Sequence, residues 1–231
     1  MVFSVAYHYF NKFQQKFNIP MSKMRLFPHY ADDTIYSTHK PKESRFNVGI
    51  VGILPSLKGY KRSLELLNKL RKQDPRFRLH VIGKLPQDLS WVRSDKNEMD
   101  YYRDCYSYIQ EHALADHVVF GGFLPQAEIY KNLSYLLSLS DIEAFHTAIA
   151  EGSCAGCMCL LLNSWEGVYH VYPKEYICSS LDELAERILK AATDDTYYTD
   201  QVADMRTFVI DNYGIQKFLG TMKTYLRQVF L

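Results

Sequence analysis

The run Cys157 to Leu162, C-M-C-L-L-L, follows directly on Gly156 and contains no polar residue. An apolar run without alternation is what a strand shows when both faces of its sheet are covered, so the chain must provide a parallel sheet flanked by helices. The residues upstream fit such a unit. His146 to Ala155 is a small, apolar stretch with helical potential, and Gly156 is a natural left-handed terminator for it. Asp141 to Phe145 reads as the turn that leads into that helix.

A strand end, a turn and a helix start in this order point the first free amides, around His146, Thr147 and Ala148, into the crevice at the sheet edge. Four unpaired N–H groups and the positive end of the helix dipole hold an anion without a basic side chain. Glu151 lies on the helix and Glu143 in the turn before it, so two carboxylates flank the anion site. Carboxylates accept hydrogen bonds from sugar hydroxyls, which suits a ligand with a diphosphate in the middle and a sugar at each end. The plainer alternative is a pair of solvated acids that stabilise a helix dipole.

The stretch resembles the E-x7-E motif of retaining, GT-B fold glycosyltransferases, family 4 above all, aligning without gaps from Glu143 through Phe145 and Glu151 to Gly156. Ala144 and His146 stand where that pattern has glycines, and Gly152 follows the second acid. The resemblance implies that Glu151 binds the ribose of a nucleotide-sugar and that Glu143 contacts the donor sugar. The amides after Phe145, those of Thr147 and Ala148 among them, would hold the diphosphate. His146 would contact the diphosphate or the sugar, or serve only as a turn residue. The implied reaction is sugar transfer with retention from a nucleotide-diphosphate donor to a glycan or lipid-linked acceptor, as in polysaccharide biosynthesis. No cofactor and no essential metal are expected, because amides and lysine neutralise the charge.

Earlier in the chain, V-G-I-V-G-I-L within 46–54 is a buried strand, and P-S-L-K-G-Y-K-R leads into an amphipathic helix with Leu64, Leu67 and Leu70 inward. Such a loop places Lys58, Lys61 and Arg62 near a phosphate, unless they are simply solvated. The resembling family has G-R-x-x-x-x-K-G here: Gly52, Lys58 and Gly59 match, Ile53 replaces the arginine, and Lys61 or Arg62 is left to substitute. A second strand spans 78–83 and ends in G-K-L-P at the ligand-binding edge. We expect a polar excursion over 91–100, a helix over 101–112, a strand over 117–120 and a helix over 126–137. By the resemblance, Gly122 and Phe123 lie at the nucleobase; otherwise Phe123 covers the core. After the motif come a loop with a short strand, a strand at E-Y-I-C, a helix capped by Ser180 and Glu183 that runs to Ala191, and a last helix over 215–230. That helix sets Phe218, Met222, Tyr225 and Val229 on one face, either exposed or against the helix that carries Phe13.

Residues 1–45 read differently. A strand at 2–5, a helix at 6–17 with Tyr7, Phe10, Phe13 and Phe17 in one stripe, and a strand at 24–27 precede a polar linker at 38–45. The stripe reads as a core contact, with peripheral membrane association as the alternative. His29 to Asp32 loosely replace the I-P-N-G-V-D connector of the resembling family, so 1–45 reads as the end of an acceptor-side domain. Residues 46–212 are then the nucleotide-sugar-binding domain, and 213–231 a helix that crosses back.

The fold expected is a three-layer, Rossmann-like α/β domain with a mostly parallel sheet, one half of a GT-B fold. At 231 residues the chain is short for both halves. A net charge of +1 gives no support to a nucleic-acid or strongly membrane-attracted surface. The sequence shows no long apolar span and no signal peptide. Five cysteines argue for a reducing compartment, the cytoplasm or the inner face of a membrane. Cys154 and Cys157 have C-x-x-C spacing but no second pair, so zinc is not expected. Three readings remain: the donor half of a glycosyltransferase, completed by an acceptor half from elsewhere or from a separate subunit; a nucleotide-sugar-binding module without chemistry; and a doubly wound domain for another phosphate ligand.

Overall fold

In a computed structural model, which describes residues 2–4, 6–27, 29–34 and 36–230 apart from the side chains of Tyr7, His8, Val229 and Phe230, the chain forms two parallel sheets. The first is small. β1 (Val2–Ser4), α1 (Tyr7–Phe17) and β2 (Met24–Leu26) form a single β-α-β unit, with Val2 opposite Met24. Val5, at the end of the expected first strand, lies outside the described residues, as do the side chains of Tyr7 and Val229.

The main sheet follows the linker. It comprises β3 (Asn47–Val51), α2 (Tyr60–Gln73), β4 (Arg78–Ile82), α3 (Ser90–Ser94), α4 (Lys96–Glu111), β5 (Val118–Gly122) and β6 (Tyr135–Ser138). α5 (Thr147–Cys154), β7 (Met158–Leu162), α6 (Val168–Val171), β8 (Ile177–Cys178), α7 (Leu181–Thr193), α8 (Asp195–Tyr213) and α9 (Ile215–Phe230) complete it. The strand order is β5-β4-β3-β6-β7-β8 with every pairing parallel. The order reverses between β3 and β6, and in open α/β sheets ligands bind at that switch.

β7 shows why its apolar run was needed. Met158 and Leu160 point into a core completed by Leu64, Leu67 and Leu70 of α2 and Ile188 of α7. Cys159 and Leu161 point the other way, into a core shared with Ile149 of α5 and Met205 and Val209 of α8. Both faces are covered, so neither side chain parity can be polar.

Several elements differ from the sequence reading. The expected helix over 126–137 is a short 3-10 turn (Gln126–Glu128) and then β6, whose four residues are all buried. The periodic Ile129, Leu133, Leu136 and Leu137 imitate a helix, but pairing with both β3 and β7 wins. The polar excursion over 91–100 is helical, because Asp95 accepts from the amides of Asn97 and Glu98 and starts α4 early. Val168–Val171 is a helix rather than a strand. At α7, Ser180 accepts from the Glu183 amide as expected, while Glu183 reaches back to Ser179 instead of closing the box on Ser180.

α9 leaves the main sheet and packs on the small unit. Phe218 and Tyr225 meet Phe27 at ring separations of 4.8 and 6.0 Å, and the Tyr225 hydroxyl donates to the Leu26 carbonyl at 3.2 Å. Their partner is therefore the β2 side, not the helix that carries Phe13.

Candidate functional site

Two loops meet at the β3/β6 switch and are stitched together by backbone. The Asp141 amide donates to the Leu57 carbonyl at 2.8 Å, and Arg62 donates to the Leu139 carbonyl at 2.5 Å and pairs with Asp141. Gly59, at φ +76°, lies so close to the other loop that a Cβ there would sit 2.1 Å from the Leu139 oxygen. Only glycine permits both the left-handed backbone and that approach.

This contact delivers Lys58 to Glu143. The Nζ to Oε1 distance is 2.6 Å, with the lysine 29% and the glutamate 10% exposed. Burial opposes a charge on Glu143, but the His146 imidazolium, present only in the acid range where this carboxyl titrates, and the Lys58 ammonium outweigh it and hold the carboxyl below its ordinary value. His146 is 3.7 Å from the same oxygen, and its Nδ1 shares a 2.5 Å hydrogen bond with the buried Ser138 hydroxyl. Burial drives the His146 imidazole down to about 4 despite the Glu143 charge, with Lys58 acting in the same direction, so the ring is neutral at neutral pH.

His146 also has φ +57° and ψ +69°. A left-handed residue at this point explains why the resembling pattern has glycine there, and a non-glycine residue costs about 1 kcal/mol or more to hold in that conformation. The Ser138 bond and the Tyr172 hydroxyl, which donates to the Phe145 and His146 carbonyls at 3.0 and 3.2 Å, hold it.

Of the other predicted residues, Thr147 and Ala148 begin α5 beside this cluster, where their amides precede the first full helical turn. The Phe145 ring is buried against Tyr213 and Tyr172, so only its backbone faces the turn. Gly52, at φ +77°, follows β3 on the same edge and donates to the Ile82 carbonyl. Glu151 is one helical turn deeper and accepts from the Tyr130 hydroxyl and the Gln126 amide, each at 2.7 Å. Gly122 ends edge strand β5 and Phe123 follows it at the same sheet end, but both stand away from the Lys58–Glu143 pair, with Phe123 85% exposed. Cys154 and Cys157 are buried in the core, and among the described residues no cluster of three or more His, Cys, Asp or Glu side chains could hold a metal.

Sequence reading missed the far wall of the site. A cavity of about 210 Å³ adjoins the Glu143 carboxylate and is lined by Tyr9, Lys12, Asp141, Ile142, Trp165 and Glu166 as well. Lys12 of α1 reaches Glu166 at 2.5 Å across it. No local pattern links residues so far apart in sequence. A larger hollow of about 450 Å³ along α4, between Pro86 and Gln110, has none of these converging groups.

A sequence model of the family described as glycosyl transferases group 1 matches residues 32–207. No curated protein matches. Among solved structures, Alr3699/HepE of Anabaena in complex with UDP and glucose superposes with a TM-score of 0.80 at 16% identity, over 99% of this chain and 63% of its own. Sucrose-phosphate synthase from Thermosynechococcus elongatus gives 0.75 at 17% identity, over 99% and 58%. A variant of S. aureus TarM in complex with fondaparinux, α-GlcNAc-glycerol and UDP gives 0.76 at 14% identity, over 96% and 43%. At these identities the likeness is one of fold, that of GT-B glycosyltransferase domains, and the chain spans less than two thirds of each of these proteins.

Proposed function

Because the chain belongs to the glycosyl transferases group 1 family, we propose that it is the donor-binding half of a transferase that moves a sugar, with retention, from a nucleoside-diphosphate sugar to a glycan or lipid-linked acceptor. The observation that carries this reading is the convergence of Lys58, Glu143, neutral His146 and the start of α5 at the switch between β3 and β6. Lys58 and the Thr147 and Ala148 amides take the diphosphate, where they stabilise the charge that develops on the leaving group. Glu151 takes the ribose hydroxyls. The donor sugar occupies the cavity beside Glu143, where Asp141, Glu143 and Glu166, each paired to a cation, can still accept from sugar hydroxyls. His146, neutral and fixed by Ser138, can offer one ring nitrogen to sugar or phosphate without adding charge. Gly122 and Phe123 border the base, and Arg62 supports the loop through Asp141. No metal enters this scheme. That some structural relatives were solved with UDP makes uridine the first base to try.

The test is calorimetric titration with UDP, GDP and their sugars. Saturable binding of one nucleotide, weakened by Glu151→Ala and by Lys58→Ala, is the expected result. A folded wild-type chain that binds none of them overturns the reading. Binding without acceptor-dependent transfer, even with an acceptor half supplied, would leave a nucleotide-sugar-binding module.

A further inference from the structure

A second group of cations lies at the other end of the main sheet. Lys40, Lys42 and Arg45, on the linker that enters β3, line a hollow of about 470 Å³ at the amino ends of β3 and β6, away from the crevice at the β3/β6 switch. Ser44 and Ser134 line it too, and Asp195, Tyr198 and Thr199 of α8 form its other side. Pro41 is the one lining residue without a polar side chain. Glu43 does not line it, so three cations face a single acid.

Two of these cations are held in place rather than simply solvated. The Lys40 ammonium donates to the Tyr130 carbonyl at 2.6 Å and to Cys157 Sγ at 3.3 Å, which leaves one of its three protons for another acceptor. The Arg45 guanidinium stacks on the Tyr198 ring at 4.0 Å and is 20% exposed. It pairs with Asp195, whose side chain is 97% exposed, and a pair with so exposed an acid gains little over water. The arginine is thus the fixed member and the acid the exchangeable one. Beyond that pair Arg45 has no hydrogen-bond acceptor among the described residues, and its Nε is buried without one. Ser134 is 2% exposed, and its hydroxyl lies 3.1 Å from that of Ser44, long for such a bond, while Ser44 donates to the Pro41 carbonyl at 2.7 Å.

We propose that this hollow binds a sugar phosphate, with the phosphate between Lys40, Lys42 and Arg45 and the sugar against the hydroxyls. The phosphate takes the place of Asp195 on the guanidinium, whose planar N–H groups match phosphate oxygens. Three cations against one exchangeable acid suit a dianion better than a carboxylate. Ser134 and Thr199 offer polar contacts to the organic part, for which an apolar wall would be unsuited. No lining residue belongs to the Lys58–Glu143 cluster, so the inference does not depend on the donor-site reading.

Calorimetric titration of the full chain with glucose 6-phosphate, inorganic phosphate and glucose tests it. We expect saturable binding of glucose 6-phosphate and none of glucose. Arg45→Gln should weaken that binding roughly tenfold or more. Lys42→Gln should weaken it roughly threefold, and because Lys42 is exposed this variant keeps the fold. Lys58→Ala, at the other sheet end, should leave it unchanged. Inorganic phosphate bound as tightly as the ester would keep the anion site and make free phosphate its ligand. A folded chain that binds neither phosphate compound overturns the proposal. So does binding that Lys58→Ala abolishes while Arg45→Gln and Lys42→Gln leave it intact, because the phosphate would then sit in the crevice.

Discussion

The two acids of the motif sit in opposite kinds of environment. Glu143, in the turn, is buried beside a cation, Lys58, and a histidine that burial keeps neutral. Glu151, on the helix, is held by two neutral donors, the Tyr130 hydroxyl and the Gln126 amide. The first is compensated by charge and keeps little freedom; the second is satisfied by hydrogen bonds that a sugar hydroxyl can replace one for one. One motif thus carries an electrostatic end and an exchangeable end.

The largest effect should come from removing the cation. Lys58→Met leaves the Glu143 carboxylate buried beside a neutral ring. Losing one partner of a buried pair costs 3–5 kcal/mol, and partial exposure of the lysine places this one near the lower end, about 3 kcal/mol. Urea denaturation measures it. A double variant, Lys58→Met with Glu143→Gln, should recover most of the loss, and failure to recover would mean that the two ends do not differ by charge.

Acid should reveal the same asymmetry. The His146 ring, about 4 when folded, binds a proton more readily in the unfolded chain, whose ordinary value is 6.5. The unfolded state then holds more protons between those values, so stability is present above pH 6.5 and falls as the pH drops towards 4. From pH 7 to pH 5 the loss from this ring is about 2 kcal/mol. Glu143, held below its ordinary value, adds to the loss only further into acid. His146→Asn should flatten the profile across that window. An unchanged slope would show that the ring is not buried neutral.

Sequence alone made one end of this contrast more legible than the other. The β7 run, the α5 start and the acid spacing are local, and each follows from residues within a few turns of one another. Lys58 was recognisable as a cation near phosphate, yet its pairing with Glu143 spans 85 positions and depends on Gly59 touching Leu139, which no spacing reveals. β6 was misread because its four residues have no signature apart from their neighbours. Tyr130 and Gln126 were hidden by the same error, since a helix over 126–137 would have placed them elsewhere. His146 shows the converse: its departure from glycine was plain, but the left-handed backbone that makes the departure meaningful required the structure.

The smallest effect separates stability from binding at the exchangeable end. Tyr130→Phe removes one of the two donors to Glu151 and leaves the Gln126 bond. The Tyr130 hydroxyl, raised far above its ordinary value by burial and by the Glu151 charge, is a donor at every accessible pH, so its loss is a simple loss of one bond. A hydrogen bond to a charged acceptor is worth about 1.5–3 kcal/mol, and the part-exposed carboxylate regains water, which brings the expected loss to about 1 kcal/mol. The decisive readout is nucleotide titration of the same variant. If a ribose hydroxyl replaces the tyrosine at Glu151, freeing that oxygen in advance should leave nucleotide affinity unchanged or raise it, while Lys58→Met lowers it. A fall of equal size in both variants would mean that Glu151 is oriented by Tyr130 rather than merely occupied by it, and the two acids would then be alike in needing their protein partners.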